Sequence, residues 1–443
     1  GKRIKGIEVV GPILNLEKLF KKTPVKEIVI AIPSITSEKR KEILKLCSTF
    51  PCRVQILPNT LAILQGDEDN HLLQNVREVN IEELLGREPI SLISEDIHQF
   101  LEGKVVLVTG GGGSIGSELC KQIAKSSVKK LIILDIYENN AYDIQQELKR
   151  LYGEQLDLII EIASIRDKSK VNHIVERHRP NIIFHAAAHK HVPLMEDYPE
   201  EAILNNIFGT YHMVWAADRY GVDKFVLIST DKAVNPTSVM GASKRFCEMI
   251  LQSMKEVSKT EFVAVRFGNV LGSNGSVIPL FQKQIAQGGP VTITDKRIVR
   301  FFMTISEASQ LVLQAGAMAN SSEVYVLDMG DPVKILDLAE NLIRLSGHEP
   351  YIDIPIIETG LRPGEKLYEE LLMNSKELIA TQNHKIYIER QDNISQEEIK
   401  KYLSILSAVL KTKDCFEMKN AIKSVVPTYK DPDEVNNANM YEE

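Results

Sequence analysis

Thr230, Asp231 and Lys232 stand in a row as groups able to move protons, and eight residues after Lys232 comes Met240-Gly241-Ala242-Ser243-Lys244. A lysine one helical turn beyond a tyrosine lowers that tyrosine's pKa and makes it a base for a substrate hydroxyl. One helical turn before Lys244, however, stands Met240, which accepts no proton at any pH. Acid-base work therefore falls to the Thr230-Asp231-Lys232 cluster, where neighbouring opposite charges keep Asp231 and Lys232 both ionised until substrate closes the site. A bare strand-end turn with an Asx-type cap would use the same residue types, but it leaves Lys244 without a role.

A second motif supplies a partner for that chemistry. Gly110-Gly111-Gly112-Gly113-Ser114-Ile115-Gly116 follows an apolar run and precedes a helix predicted over Ser117 to Lys125. Glycines let the backbone turn tightly against a pyrophosphate, whose charge is met by the helix N-terminal amides, which points to Gly110, Gly113, Ser114, Ile115 and Gly116. Asp135 closes the next apolar run 19 residues after Gly116, and Ile136-Tyr137-Glu138 brings no arginine. A carboxylate there accepts from a ribose diol and repels a 2′-phosphate, so NAD is favoured over NADP. The plainer role for Asp135 is a helix cap.

The elements that must hold these groups are legible as periodicity. Apolar runs at Val105 to Thr109, Leu131 to Asp135, Leu158 to Ile162, Ile182 to Ala186, Phe225 to Ser229, Phe262 to Phe267 and Val324 to Leu327 alternate with amphipathic stretches. That is the pattern of an α/β, doubly wound parallel sheet. Residues 1–100 read as a small α/β domain without a phosphate loop, with strands at Lys26 to Pro33 and Arg53 to Leu57 and a helix from Ser37 to about Thr49. Residues 101–443 read as the catalytic domain, with a nucleotide core to about 265, a substrate part over about 266–380, one helix at Glu397 to Leu410 and a disordered polar tail from Lys430. The 443 residues, 44% of them hydrophobic, suffice for two cores. A net charge of −7 argues against nucleic acid, and five scattered cysteines argue against a disulfide or metal scaffold. His189-Lys190-His191 lacks the partners a zinc site needs, so no metal is expected.

The run Ser229 to Thr237 followed by Met240 to Arg245 resembles the active-site segment of membrane-associated nucleotide-sugar 4,6-dehydratases, long-form members of the extended short-chain dehydrogenase/reductase superfamily serving polysaccharide and glycan biosynthesis. Ile81 to Pro89 resembles that family's linker into the catalytic domain. The resemblance implies cofactor contacts from Ala186 and Ala187, and from Ser164 and Ile165 in Ala163-Ser164-Ile165-Arg166-Asp167, where relatives carry Asp at the serine position. It implies that Lys244 holds the nicotinamide ribose, that Asn206 supports the site, and that a UDP-sugar meets Lys190, Asn269, Pro279, Arg300, Arg362 and Glu365. Two arginines from distant segments suit a diphosphate, because guanidinium forks bind it through paired hydrogen bonds.

What the resemblance implies about the reaction is removal of hydride from C4, loss of water across C5 and C6, and hydride return to C6, with UDP-N-acetylglucosamine as substrate. Lys232 is then the C5 base, Asp231 the acid at the 6-hydroxyl, Thr230 the partner of the 4-hydroxyl. A nucleotide-sugar epimerase and a non-catalytic NAD sensor are the competing readings. The helices Pro199 to Tyr220 and Ser238 to Val257 resemble those forming a four-helix dimer interface, which implies a homodimer or larger homo-oligomer. No apolar run reaches the roughly 20 residues of a membrane helix. The family carries its transmembrane helices ahead of this region, which implies a soluble fragment of a protein tethered at the cytoplasmic face of the inner membrane.

Overall fold

The structure is a computed structural model that describes residues 2–4, 6–23, 25–32, 35–57, 77–78, 95–319, 323–370, 378–391 and 393–438. The chain divides into two compact units, one gathering Gly1–Pro89, Leu271–Arg297 and Val333–Gly360, the other Ile90–Val270, Ile298–Pro332 and Leu361–Glu443.

In the larger unit the predicted strands form one sheet: β1 (Val105–Thr109), β2 (Lys130–Asp135), β3 (Leu158–Ile162), β4 (Ile182–His185), β5 (Lys224–Ile228), β6 (Glu261–Arg266) and β7 (Val324–Leu327). Two further strands, β8 (Leu378–Ala380) and β9 (Ile386–Glu389), extend it. The spatial order is β8-β9-β7-β6-β5-β4-β1-β2-β3, parallel from β3 to β7, with β9 antiparallel to β7 and to β8. These strands are apolar almost throughout because both faces are covered. In β1, Leu107 joins Ile132, Ile183 and Phe225 in one layer, while Val106 and Val108 join Ile133, Phe184 and Val226 in the other. The order reverses between β1 and β4, so the carboxyl ends of those strands open a crevice where such sheets bind ligands.

Helix α1 spans Ser114–Ile123, three residues earlier than expected at its start. The glycine run suggested a turn through Gly116, but Gly116 is already helical, and a Cβ there would lie 2.1 Å from Gly110 O. Its glycine serves close packing of helix on turn.

The C-terminal region differs more. After α4 (Gln396–Val409), closed by a Ser395–Glu398 capping box, come α5 (Cys415–Val425) and α6 (Pro432–Ala438), where one helix and a disordered tail were expected. Met418, Ile422 and Val425 lie on one face of α5 and enter the core with Phe246 and Ile250, a spacing of four and three residues that the sequence carried. Helices α2 (Gly209–Tyr220) and α3 (Val239–Gln252) are the pair expected to face a second copy. All fourteen residues of α3 are buried within the chain, where α4 and α5 lie against it. The chain's own C-terminal helices thus cover α3, one of the two helices that the resemblance assigns to a partner.

In the smaller unit, parallel strands Glu27–Ile30 and Arg53–Ile56 flank the helix Ser37–Cys47, whose Leu44 and Cys47 pack with Ile30, Phe50 and Val54. Leu345, from the helix Ile335–Leu345, joins that core. Val291–Ile293 pairs with Ile356–Glu358 in the same unit. The resemblance at Ile81 to Pro89, and the strand end at Pro33, lie outside the described residues. No helix among the described residues is long and apolar enough to cross a membrane.

Candidate active site

At the crevice, Gly110 adopts a φ of +67°, and a Cβ there would meet Ala187 N at 2.7 Å, so the β1 turn and the β4 end touch backbone to backbone. Gly113 stands at the N-cap of α1 with no side-chain cap, leading into Ser114, Ile115 and Gly116 in the first turn. Asp135 ends β2, its Oδ2 accepting from Gly112 N at 2.8 Å and its Oδ1 from Tyr137 N at 2.9 Å. Each oxygen keeps a lone pair for a ribose hydroxyl. An open helix terminus, small residues at Ala186 and Ala187 and an acid at the next strand end fit a dinucleotide.

Ser164 Oγ accepts from Arg166 N at 3.2 Å, which ties the loop after β3 while leaving the hydroxyl proton to donate. Ile165 is buried, and its side chain fills the space beside Gly209. Behind β4, His185 lies between Thr109 Oγ1 (2.7 Å) and Thr210 Oγ1 (3.0 Å). Burial first, then the charge of Lys244, drives its pKa down to about 3, so it is a neutral strut.

The residues Ala202–Phe208 form a π-helical turn just before α2 and carry Asn206. Asn206 Oδ1 accepts from His189 N at 2.8 Å, and its Nδ2 donates to His189 O at 3.0 Å and to Ser243 Oγ at 2.9 Å. One buried amide thereby clamps the residues immediately before Lys190 and Lys244. Met240 and Lys244 share a face of α3, with Met240 buried in the core. Burial lowers the Lys244 pKa against the opposing pull of Cys247 and Glu248.

Thr230, Asp231 and Lys232 follow β5 in a short 3-10 turn. Asp231 is fully buried; its Oδ1 accepts from Thr230 Oγ1 at 2.8 Å and from Lys232 Nζ at 2.9 Å, while Oδ2 has no partner among the described residues. Lys232 Nζ also donates to Asn269 Oδ1 at 3.3 Å and lies 3.7 Å from Glu369 Oε1. Burial pulls the Lys232 pKa down, but Asp231 and Glu369 outweigh it and the net direction is up. Beneath this turn Ser229 Oγ donates to Glu248 Oε1 at 2.7 Å, and Arg266 grips both Glu248 oxygens at 2.7 Å. Burial would push Glu248 up, yet Arg266 and Arg245 bring it to about 2, and the ionised network floors the Thr230–Lys232 turn.

A cationic edge faces the same unit. Lys190 and Arg362 both lie close enough to His191 to depress its pKa, after the larger effect of burial. Arg362 Nε and Nη2 donate to Glu365 at 3.3 and 3.1 Å. Arg300 is buried and donates to the carbonyls of Val299, Leu367 and Lys366, with Glu365 at 3.7 Å and Glu369 at 3.9 Å. Its fork braces the segment that carries Arg362. Pro279 lies in the helix Val277–Ala286 of the smaller unit.

Two residues of this arrangement had no signal in sequence. Glu369 sits in a stretch without regular structure, and Asn436, in the supposed tail, accepts from Leu367 N at 2.9 Å and donates to Glu365 O at 3.0 Å. Glu248, four residues after Lys244, could have been found by its helical spacing.

Residues 106–391 match the family model described as "Polysaccharide biosynthesis protein". The chain is 50% identical over 395 residues to the capsular polysaccharide biosynthesis protein CapD of Staphylococcus aureus, covering 89% of this chain and 65% of that relative, so it spans less than two thirds of CapD's length. It is 34% identical over 274 residues to a UDP-N-acetylglucosamine 4,6-dehydratase (inverting) of Campylobacter jejuni, covering 61% of this chain and 78% of the relative. Among solved structures, Pen from Bacillus thuringiensis superposes with a TM-score of 0.60 at 34% identity, over 69% of this chain and 98% of the other. With the motif, the sheet order and these similarities in agreement, the chain belongs to the polysaccharide biosynthesis protein family, and its fold is that of solved nucleotide-sugar dehydratases and epimerases.

Proposed function

We propose that this chain dehydrates a UDP-hexose, UDP-N-acetylglucosamine, to the 4-keto-6-deoxy sugar with NAD as resident cofactor. The observation that carries the reading is the ion pair of buried Asp231 with part-buried Lys232, with Thr230 on the same carboxylate oxygen and Asn269 on the same ammonium. The first turn of α1, Asp135, Ala186, Ala187 and Lys244 would hold NAD, which when bound takes hydride from C4 and returns it to C6. Thr230 meets the 4-hydroxyl, whose proton leaves through a water near Lys244. Lys232 removes the C5 proton, and Asp231 protonates the departing 6-hydroxyl. Lys232 then returns a solvent-exchanged proton to C5, after which the proton released from the 4-hydroxyl restores the Lys232 ammonium.

Passage of one proton from Lys232 Nζ to Asp231 Oδ1, across the 2.9 Å contact, turns the ion pair into amine and carboxylic acid without changing total charge. Those are the states a base and an acid need, and excluding water favours the neutral pair. Lys190 and Arg362 supply charge for the diphosphate, Arg362 exchanging Glu365 for phosphate oxygens.

Incubation with UDP-N-acetylglucosamine followed by mass analysis tests this: loss of one water, with one solvent deuterium at C5 in deuterium oxide, is expected. A product that keeps its 6-hydroxyl moves the assignment to an epimerase.

A further inference from the structure

Lys232 is held by more than its neighbour in sequence. Asp231 approaches its ammonium from the β5 turn, Asn269 from the strand Asn269–Val270, and Glu369 from the segment after Leu361. Glu369 is itself buried. Its Oε1 lies 3.7 Å from Lys232 Nζ and 3.9 Å from Arg300, and its Oε2 has no hydrogen-bond partner among the described residues.

A buried carboxylate is expensive unless cations repay the lost hydration. Lys232, Arg300 and Lys366 do so here: against the upward push of burial, they leave the Glu369 carboxyl below its usual range. The position is built, because Arg300 braces the carbonyls of Lys366 and Leu367, Lys366 Nζ donates to Val234 O at 3.0 Å, and Asn436 caps Leu367 N.

We infer that Glu369 is a positioning residue of the active site, a second carboxylate that holds the Lys232 ammonium in place and keeps the resting proton on Lys232 until substrate enters. The inference rests on the reading of Lys232 as a proton-transfer group. Glu369 sits farther from Nζ than Asp231 and shares its charge with Arg300 and Lys366, so it biases the proton toward the amine without becoming the acceptor. Proton transfer to Asp231 then waits for a change in the surroundings of Glu369, such as a substrate hydroxyl donating to its open Oε2.

The test reads Lys232 directly and needs no turnover. Acetic anhydride acylates only the neutral amine, and peptide mass spectrometry follows Lys232, 20% exposed, beside the exposed Lys170 across pH. In the wild type the Lys232 labelling midpoint should lie above that of Lys170. In Glu369→Gln it should fall by about one pH unit or more, so that below the midpoint Lys232 labels about tenfold faster, and Glu369→Asp should recover part of the shift.

A wild-type midpoint at or below that of Lys170 overturns the inference whether or not the variants fold. So does an unmoved midpoint in Glu369→Gln protein that melts like the wild type. If no UDP-sugar is turned over while the labelling shifts as expected, the dehydratase reading fails and the hold of Glu369 on the Lys232 ammonium stands.

Discussion

The glycine turn after β1 and the charge cluster after β5 face the same crevice but are built in opposite ways. The turn is a backbone object drawn from seven consecutive residues, and its tolerances are steric: a Cβ at Gly116 would lie 2.1 Å from a carbonyl oxygen. The cluster is a side-chain object drawn from separate segments, carrying Asp231 and Lys232, Asn269, Arg300 and Glu369, and its tolerances are electrostatic. Sites of the first kind are local in sequence and fail through fit. Sites of the second kind fail through charge and often leave the fold standing.

Substitutions can break that contrast. The largest effect belongs to Gly116→Ala, where helix and turn must separate at a cost of about 3 kcal/mol or more. A lower Tm together with lost cofactor binding is expected. Gly113→Ala is the control: its Cβ would meet only Gly110 O, at 3.2 Å, so the fold should survive while NAD titrates weakly. Equal loss of stability in the two variants would show that the turn is not graded by contact distance.

On the cluster side, Asp231→Asn should leave Tm nearly unchanged and slow turnover roughly 10²- to 10⁴-fold, the usual worth of a general acid. Near-ultraviolet absorbance of reduced cofactor should accumulate, because the step that needs Asp231 follows oxidation at C4. Lys244→Ala should stall without that absorbance. Asp231→Asn turning over at the wild-type rate would remove Asp231 from the mechanism.

Smaller effects sharpen the picture. Asp135→Asn should narrow the preference for NAD over NADP by about tenfold, near 1.4 kcal/mol, as measured by titration of both cofactors. Asn436→Ala removes two hydrogen bonds, one buried and one part-buried, and should cost about 1–3 kcal/mol, read by denaturant unfolding. His185 gives a pH signature. Its folded pKa, about 3, lies below the unfolded value near 6.5, so the unfolded chain binds more protons between them and stability falls as pH drops through that window. Above about 6.5 the full contribution is present. His185→Gln should flatten the slope of Tm against pH there, and an unchanged slope would assign acid sensitivity to other groups.

Much of the fold was readable because strand periodicity and glycine turns are local. β1, β3 and β7 have the bounds their apolar runs suggest, and the other four parallel strands differ by one or two residues. β8 and β9 were missed, since short antiparallel strands carry little periodic signal. In the larger unit, Thr230, Asp231, Lys232 and Asn269 are joined by hydrogen bonds, and Met240 and Lys244 lie on α3 of the same unit. Arg300 was legible as a cation but not as a brace, because the carbonyls of Lys366 and Leu367 that it holds are more than 60 residues away.

By itself the sequence determined the doubly wound sheet, the glycine turn with Asp135, and the residue types able to move protons. Each of these follows from spacing along the chain, through the two-residue strand repeat, the 3.6-residue helix repeat and the conformational freedom of glycine. Only the tertiary structure decided that Glu369 faces Lys232, that Asn436 anchors the loop of Arg362, and that α4 and α5 cover the face of α3 expected to meet a second copy. Those outcomes depend on which distant groups share a buried volume, where the desolvation of a charge or an apolar face is balanced by whatever partner the fold brings near, and linear spacing carries no record of that partner.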